Sequence, residues 1–141
     1  MLEGLREINS SFARHFLRKT AAKVILKQLR ESVSVLPSER AYSLLDAFGY
    51  SLLKARNYPF AVQTFEYVLK TFKAPESEAE LWTRGHLIYC LNRQKKFSEA
   101  LAEVEKLLGR DELPADLRKR MKSEHHYATQ NLERLKRKNK R

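Results

Sequence analysis

The stretch 41–73, AYSLLDAFGYSLLKARNYPFAVQTFEYVLKTFK, reads as two short helices joined by a polar break. Leu45, Phe48, Gly49 and Leu52 recur at three- and four-residue steps, and so do Ala61, Val62, Phe65, Val68, Leu69 and Phe72. Each set therefore falls on one helical face. Between them Lys54-Ala55-Arg56-Asn57-Tyr58-Pro59 interrupts the pattern. Pro59 suits a first helical turn, where its missing N–H would have had no intrahelical partner. Two amphipathic helices this short cannot bury their apolar faces alone, so the pair is expected to stack on neighbours of its own kind.

A second such pair lies in LWTRGHLIYCLNRQKKFSEALAEVEKLLG, residues 81–109. Phe97, Ala100, Leu101, Val104, Leu107 and Leu108 reproduce the second helix of the first pair, and Ala100 follows Ala61 by 39 residues. That register sets Ile88, not Gly85, opposite Gly49. Ala74-Pro75-Glu76 is a turn, and Ser77-x-x-Glu80 has the form of a capping box, so a helix is expected over about 78–93. Gly109 is the expected C-cap of the following helix.

The flanks extend the array. Residues 1–37 form an expected N-terminal helical segment, capped by Ser10 or Ser11 and striped by Phe12, Phe16, Leu17, Ala21, Val24, Ile25 and Leu29. Lys19, Lys23, Lys27 and Arg30 share another side of it, read as a solvated face. One long helix and a hairpin bent near Thr20 both fit. Residues 38–110 carry the two repeats. Asp111 and Pro114 open a last helix over 111–135, whose stripe of Leu117, Met121, Ala128, Leu132 and Leu135 suits an element closing the array. KRKNKR, residues 136–141, is expected to be a disordered basic tail.

A chain of 141 residues suits one domain, and four Gly, four Pro and 32% charged residues favour helices. No apolar run approaches the roughly 18 residues a membrane helix needs. The first 19 residues lack a continuous apolar core, and Glu3 and Glu7 argue against a transit peptide, so a cytoplasmic protein is expected. The lone Cys90 agrees with a reducing compartment. Of the formal charge of +11, residues 1–40 carry +4, residues 41–116 carry −1 and residues 117–141 carry +8.

No constellation of residues points to catalysis. The histidines are His15, His86, His125 and His126; His86 and Cys90 stand one helical turn apart, but two ligands do not make a structural zinc site. Neither a glycine-rich phosphate loop nor G-x-S-x-G occurs. The chain is expected not to be an enzyme and to need neither metal nor cofactor. Cys90 is expected to pack at a helix contact.

The spacing resembles that of the tetratricopeptide repeat, W-x2-L-G-x2-Y, then A-x3-F. Leu45, Phe48, Gly49 and Leu52 take the first four places, and Ala61 and Phe65 match the last two. The resemblance implies an all-α fold of stacked helical hairpins, two repeats between an N-terminal helical segment and a C-terminal capping helix, with the first helix of each hairpin lining a concave groove. By register that groove would hold Ser43, Asp46, Tyr50, Leu53 and Lys54 from the first hairpin. Trp82, Gly85, Tyr89, Asn92 and Arg93 would follow from the second, with Gly85 leaving a pocket between the aromatics. LLDAFGYSLL and Arg84-x-x-Leu87-Ile88-x-x-Leu91-Asn92 also resemble the small chaperones of type III secretion. The implied partner is another protein, held by an apolar helical or extended segment. A second reading gives Arg118, Lys119, Arg120, Lys122, Arg134, Arg137 and Lys138 to an acidic partner, nucleic acid or an anionic surface. A third is a homo-oligomeric scaffold.

Overall fold

All four prolines punctuate helix starts. Pro37 and Pro114 occupy N-cap positions, Pro59 lies in the first turn of its helix and Pro75 lies in the turn before another. Each is tolerated because those backbone positions make no intrahelical N–H bond. The computed structural model describes residues 21–140. It places in them six helices, α1 (Ala21–Val33), α2 (Ser38–Lys54), α3 (Tyr58–Thr71), α4 (Ser77–Arg93), α5 (Phe97–Leu108) and α6 (Ala115–Asn139), with no strand among the described residues. The question of one helix or a hairpin near Thr20, and the serine caps before it, lie outside the described residues.

Consecutive helices pack pairwise from α2 to α6, and α2 meets α4 as α4 meets α6. Contacts between alternate helices rise together in number, Tyr42 and Asp46 meeting Thr83, Tyr50 meeting His86, Gly85 meeting Leu117 and Asn92 meeting Glu124. Thus α2, α4 and α6 run parallel, with α3 and α5 returning between them. The offset of 39 holds in the backbone, since Ser38 and Ser77 open α2 and α4 while Lys54 and Arg93 close them. Each then ends in the same turn, with Arg56 at φ 62° and Lys95 at φ 63°. There Arg56 N–H donates to Leu53 O and Asn57 N–H to Leu52 O, and Lys95 and Lys96 repeat the pair onto Asn92 O and Leu91 O. Glycine usually fills that left-handed position; a side chain there costs about 1–2 kcal/mol, offset here by two capped carbonyls.

The core has two clusters, one joining α1, α2 and α3 to the inner face of α4, the other joining α4, α5 and α6. Phe48, Phe65 and Val104 are fully buried and Phe97 nearly so, as the apolar spacing requires. Gly49 explains why the second hairpin departs from the first. A Cβ at Gly49 would lie 2.6 Å from a ring carbon of the buried Phe65. The equivalent pair, Ile88 and Val104, reverses the sizes, so a large residue faces a smaller one and the same gap is filled. Gly49→Ala is therefore expected to destabilise the fold by about 2 kcal/mol in urea titration, overpacking outweighing a helix-propensity gain of about 1 kcal/mol. Gly85→Ala is expected to stay within about 1 kcal/mol of the parent, because its Cβ would meet the movable ends of Leu117 and Met121. Equal losses at both sites would contradict this account.

Several local expectations need correction. Ser77 is the first residue of α4 and Glu76 the N-cap, without a side-chain capping bond, so Ser77 and Glu80 do not form a capping box. Glu80 lies one position too far along and pairs with Arg84 instead, at 3.0 Å. In α1 the buried face runs through Leu26 and Val33, with Ile25 and Leu29 beside it, whereas Val24 is 57% exposed. The helix is rotated so that Val24, about 100° from Ile25, points outward. Residues 136–139 are not a disordered tail, because α6 continues through them to Asn139. Lys and Arg are good helix formers, Arg137 pairs with Glu133 one turn back at 3.8 Å, and cations in the last turn complement the helix dipole.

Candidate functional groove

The parallel alignment of α2, α4 and α6 brings one face of each to a common concavity of about 380 Å³, within the usual range for ligand pockets of roughly 300–1,000 Å³. Tyr50, Leu53 and Lys54 come from α2, and Trp82, Gly85, His86 and Tyr89 from α4. The third wall is α6, contributing Leu117, Arg120, Met121, Ser123 and Glu124. Six of the ten groove residues expected from the sequence, Tyr50, Leu53, Lys54, Trp82, Gly85 and Tyr89, do line it; Ser43 lies outside it, exposed on α2 with its hydroxyl donating to Glu39 O.

Asp46, Asn92 and Arg93 do not line this cavity. Asp46 turns into the α2–α4 contact, where Thr83 Oγ1 donates to its Oδ1 at 2.8 Å. Tyr42 Oη in turn donates to Thr83 Oγ1 at 2.6 Å, giving a polar chain across an otherwise apolar seam. Burial pushes the Asp46 carboxyl up to about 6, against the lowering effect of the Thr83 bond, and pushes the Tyr42 phenol up to about 12. Asn92 is fully buried and clamps α4 to α6, its Nδ2 donating to Glu124 O at 3.1 Å and Oε1 at 3.3 Å. A short amide in a helix contact has backbone within reach, whereas an amide facing a groove would not. Arg93 lies exposed at the end of α4, its guanidinium over the rings of Tyr89 (4.8 Å) and Tyr127 (5.2 Å).

Gly85 lines the cavity with Trp82 and Tyr89, but the missing side chain does not hollow it out. The space a side chain would take is filled by Leu117, whose Cδ1 would be 2.7 Å from an added Cβ, so Gly85 lets α6 approach α4 closely. The groove floor is instead aromatic, with His86 packed against Tyr50 (ring centroids 5.1 Å), Trp82 (6.0 Å) and Phe65 (6.0 Å). Burial first, then Arg120 and Lys54, lowers the His86 imidazolium to about 4, so the ring is neutral at pH 7, with its Nδ1 buried and without a hydrogen-bond partner. Cys90 is fully buried in the first cluster, and burial raises its thiol to about 12. It packs as a small apolar group, with neither the exposure nor the thiolate character of a reactive cysteine.

The basic set divides. Arg118 is structural, its Nη1 donating to Leu108 O at 3.0 Å and its Nη2 to Arg110 O at 2.7 Å, so it caps the end of α5. Lys119, Lys122, Arg134, Arg137 and Lys138 are exposed along α6, while Arg120 rises at the groove wall over Trp82 at 5.6 Å. The α6 contribution was readable in principle. Adding 39 once more to Trp82 and Gly85 gives Met121 and Glu124, both in the cavity. Among the described residues no group of three or more His, Cys, Asp or Glu is placed to hold a metal, and no helix is long and apolar enough to cross a membrane. No protein-family model, curated protein or solved structure matches the chain.

Proposed function

We propose that this chain is a tetratricopeptide-like binding module, an adaptor or chaperone that holds an apolar helical or extended segment of another protein in the groove of α2, α4 and α6. The observation that carries this reading is the open cavity floored by Tyr50, Trp82, His86 and Tyr89, partly buried rings with Leu53 and Met121 beside them. Large rigid rings anchor an interface at little cost in rotamer freedom, and parallel helices one layer apart offer a channel for a chain to lie along. The resemblance to small type III secretion chaperones adds the expectation of a cytoplasmic protein whose client is an export component.

The test is affinity purification of the tagged chain from its native cells, followed by cross-linking of any stoichiometric partner. Trp82→Ala with Tyr50→Ala is expected to weaken that partner at least tenfold while the circular dichroism melt of the free chain stays close to the parent. Cross-links confined to the convex face of α3 and α5, or affinity unchanged in the double variant, would remove the groove from the account.

A further inference from the structure

Two cations line the groove and a third, Arg93, stands just beyond it at the end of α4; each lies on an aromatic ring that lines the cavity. Lys54 Nζ is 5.2 Å from the Tyr50 centroid, the Arg120 guanidinium 5.6 Å from Trp82 and the Arg93 guanidinium 4.8 Å from Tyr89. All three side chains are exposed, and none has a carboxylate within ion-pair distance among the described residues. A ring beneath a guanidinium fixes its plane and leaves the N–H edge pointing outward, the edge that grips a carboxylate with two parallel hydrogen bonds.

The charge continues at one end. Arg56, Lys95 and Lys96 sit in the turns that close α2 and α4, and α6 runs on past that level, since Tyr127 packs beside Arg93 and Phe97. Arg134 and Lys138 follow Arg120 by four and five helical turns, on the same face of α6. The acid lining the cavity, Glu124, is taken up by its bond from Asn92; burial raises its carboxyl, against the Asn92 bond and the nearby Arg93 charge.

We infer that the segment taken by this groove is an acidic polypeptide stretch, with an aromatic or aliphatic anchor among Tyr50, Trp82 and Tyr89 and carboxylate side chains on either side of it reaching Lys54, Arg120 and Arg93. This rests on the groove reading above and adds the charge of the occupant. A single-stranded nucleic acid fits the same cations less well. It would need free ring faces on which bases can stack, and here each ring carries a cation while Tyr50 and Trp82 also carry the His86 ring.

Selection of random dodecapeptides displayed on phage against the full chain tests the inference directly. Peptides enriched on the parent but not on Trp82→Ala/Tyr50→Ala are expected to carry at least two Asp or Glu flanking a Phe, Trp, Leu or Ile. A synthetic copy of one is expected to bind at least tenfold more tightly than its Glu→Gln version in fluorescence anisotropy at 50 mM NaCl, and to lose most of that advantage at 300 mM. Lys54→Gln/Arg93→Gln/Arg120→Gln, three exposed changes, should erase the difference between the Glu and Gln peptides. Neutral or basic winners would overturn the acidic assignment and leave the groove standing. Absence of any groove-dependent enrichment would overturn both. A labelled dodecauridylate that binds through Trp82 and Tyr50 and resists competition by acidic peptides would replace the polypeptide by a nucleic acid.

Discussion

Thr83→Val, which changes almost no volume, is expected to cost about 3–4 kcal/mol of folding stability, because it strands two polar groups of α2 at the α2–α4 contact. Thr83 is fully buried; its hydroxyl accepts from Tyr42 Oη and offers its one proton to Asp46 Oδ1 or to Ala79 O, at 2.8 and 2.9 Å. Removing it leaves a buried phenol without its near acceptor and a desolvated carboxyl without its donor, each worth about 1–3 kcal/mol. Part of the loss is recoverable, since Ala79 O lies 3.5 Å from Tyr42 Oη and is freed by the same substitution. Thr83→Ser keeps the hydroxyl and should lose only about 1 kcal/mol of methyl packing. Tyr42→Phe combined with Thr83→Val should cost at least 1 kcal/mol less than the sum of the two single changes, the mark of a shared bond. Urea midpoints of the four variants decide it, and strict additivity would mean that the hydroxyls act independently. The deficit should also deepen at high pH, because the Thr83 bond is what opposes the burial penalty on ionised Asp46.

This polar seam lay beyond the reach of the sequence, while most of the helical frame did not. Phe48, Phe65 and Val104 announce their faces through spacing alone, and burial of apolar area is insensitive to the finer rotation of one helix on the next. A bond from Tyr42 to Thr83 spans 41 residues and depends on that rotation. Asp46, Asn92 and Arg118 misled for the same reason. Each is a polar residue at a position that helical counting assigns to the surface, and each is drawn into an interface by a partner on another element, Thr83, Glu124 and the Leu108 carbonyl. The groove floor was half legible. Tyr50, Trp82 and Tyr89 followed from register, but His86 drew notice only as a metal ligand, although its packing against three rings is what gives the cavity its base.

That histidine and the seam carboxylate should make the fold unusually indifferent to mild acid, and single substitutions should expose the balance. Asp46 rises from an ordinary 3.8 to about 6, so the folded state favours its protonated form. Its contribution is fully present below pH 3.8 and is lost as pH climbs through 6. His86 falls from 6.5 to about 4, so the folded state favours the neutral ring. Its contribution is present above pH 6.5 and lost as pH drops through 4. At about 1.4 kcal/mol per pH unit of displacement each amounts to about 3 kcal/mol at most, and between pH 4 and 6.5 they run in opposite directions. Relative to the parent, Asp46→Asn should gain about 3 kcal/mol on going from pH 4 to 6.5, because the Asp46 penalty is gone while the neutral-His86 requirement stays. His86→Phe should lose a similar amount over the same interval. Glu124, raised in the same sense as Asp46, adds to the alkaline-side penalty in all three proteins and so drops out of the differences. Urea titrations at half-unit steps of pH give the three curves. If they run parallel, neither group changes its proton affinity on folding, and the burial of Asp46 in the seam and of His86 beneath the groove is shallower than the packing described above.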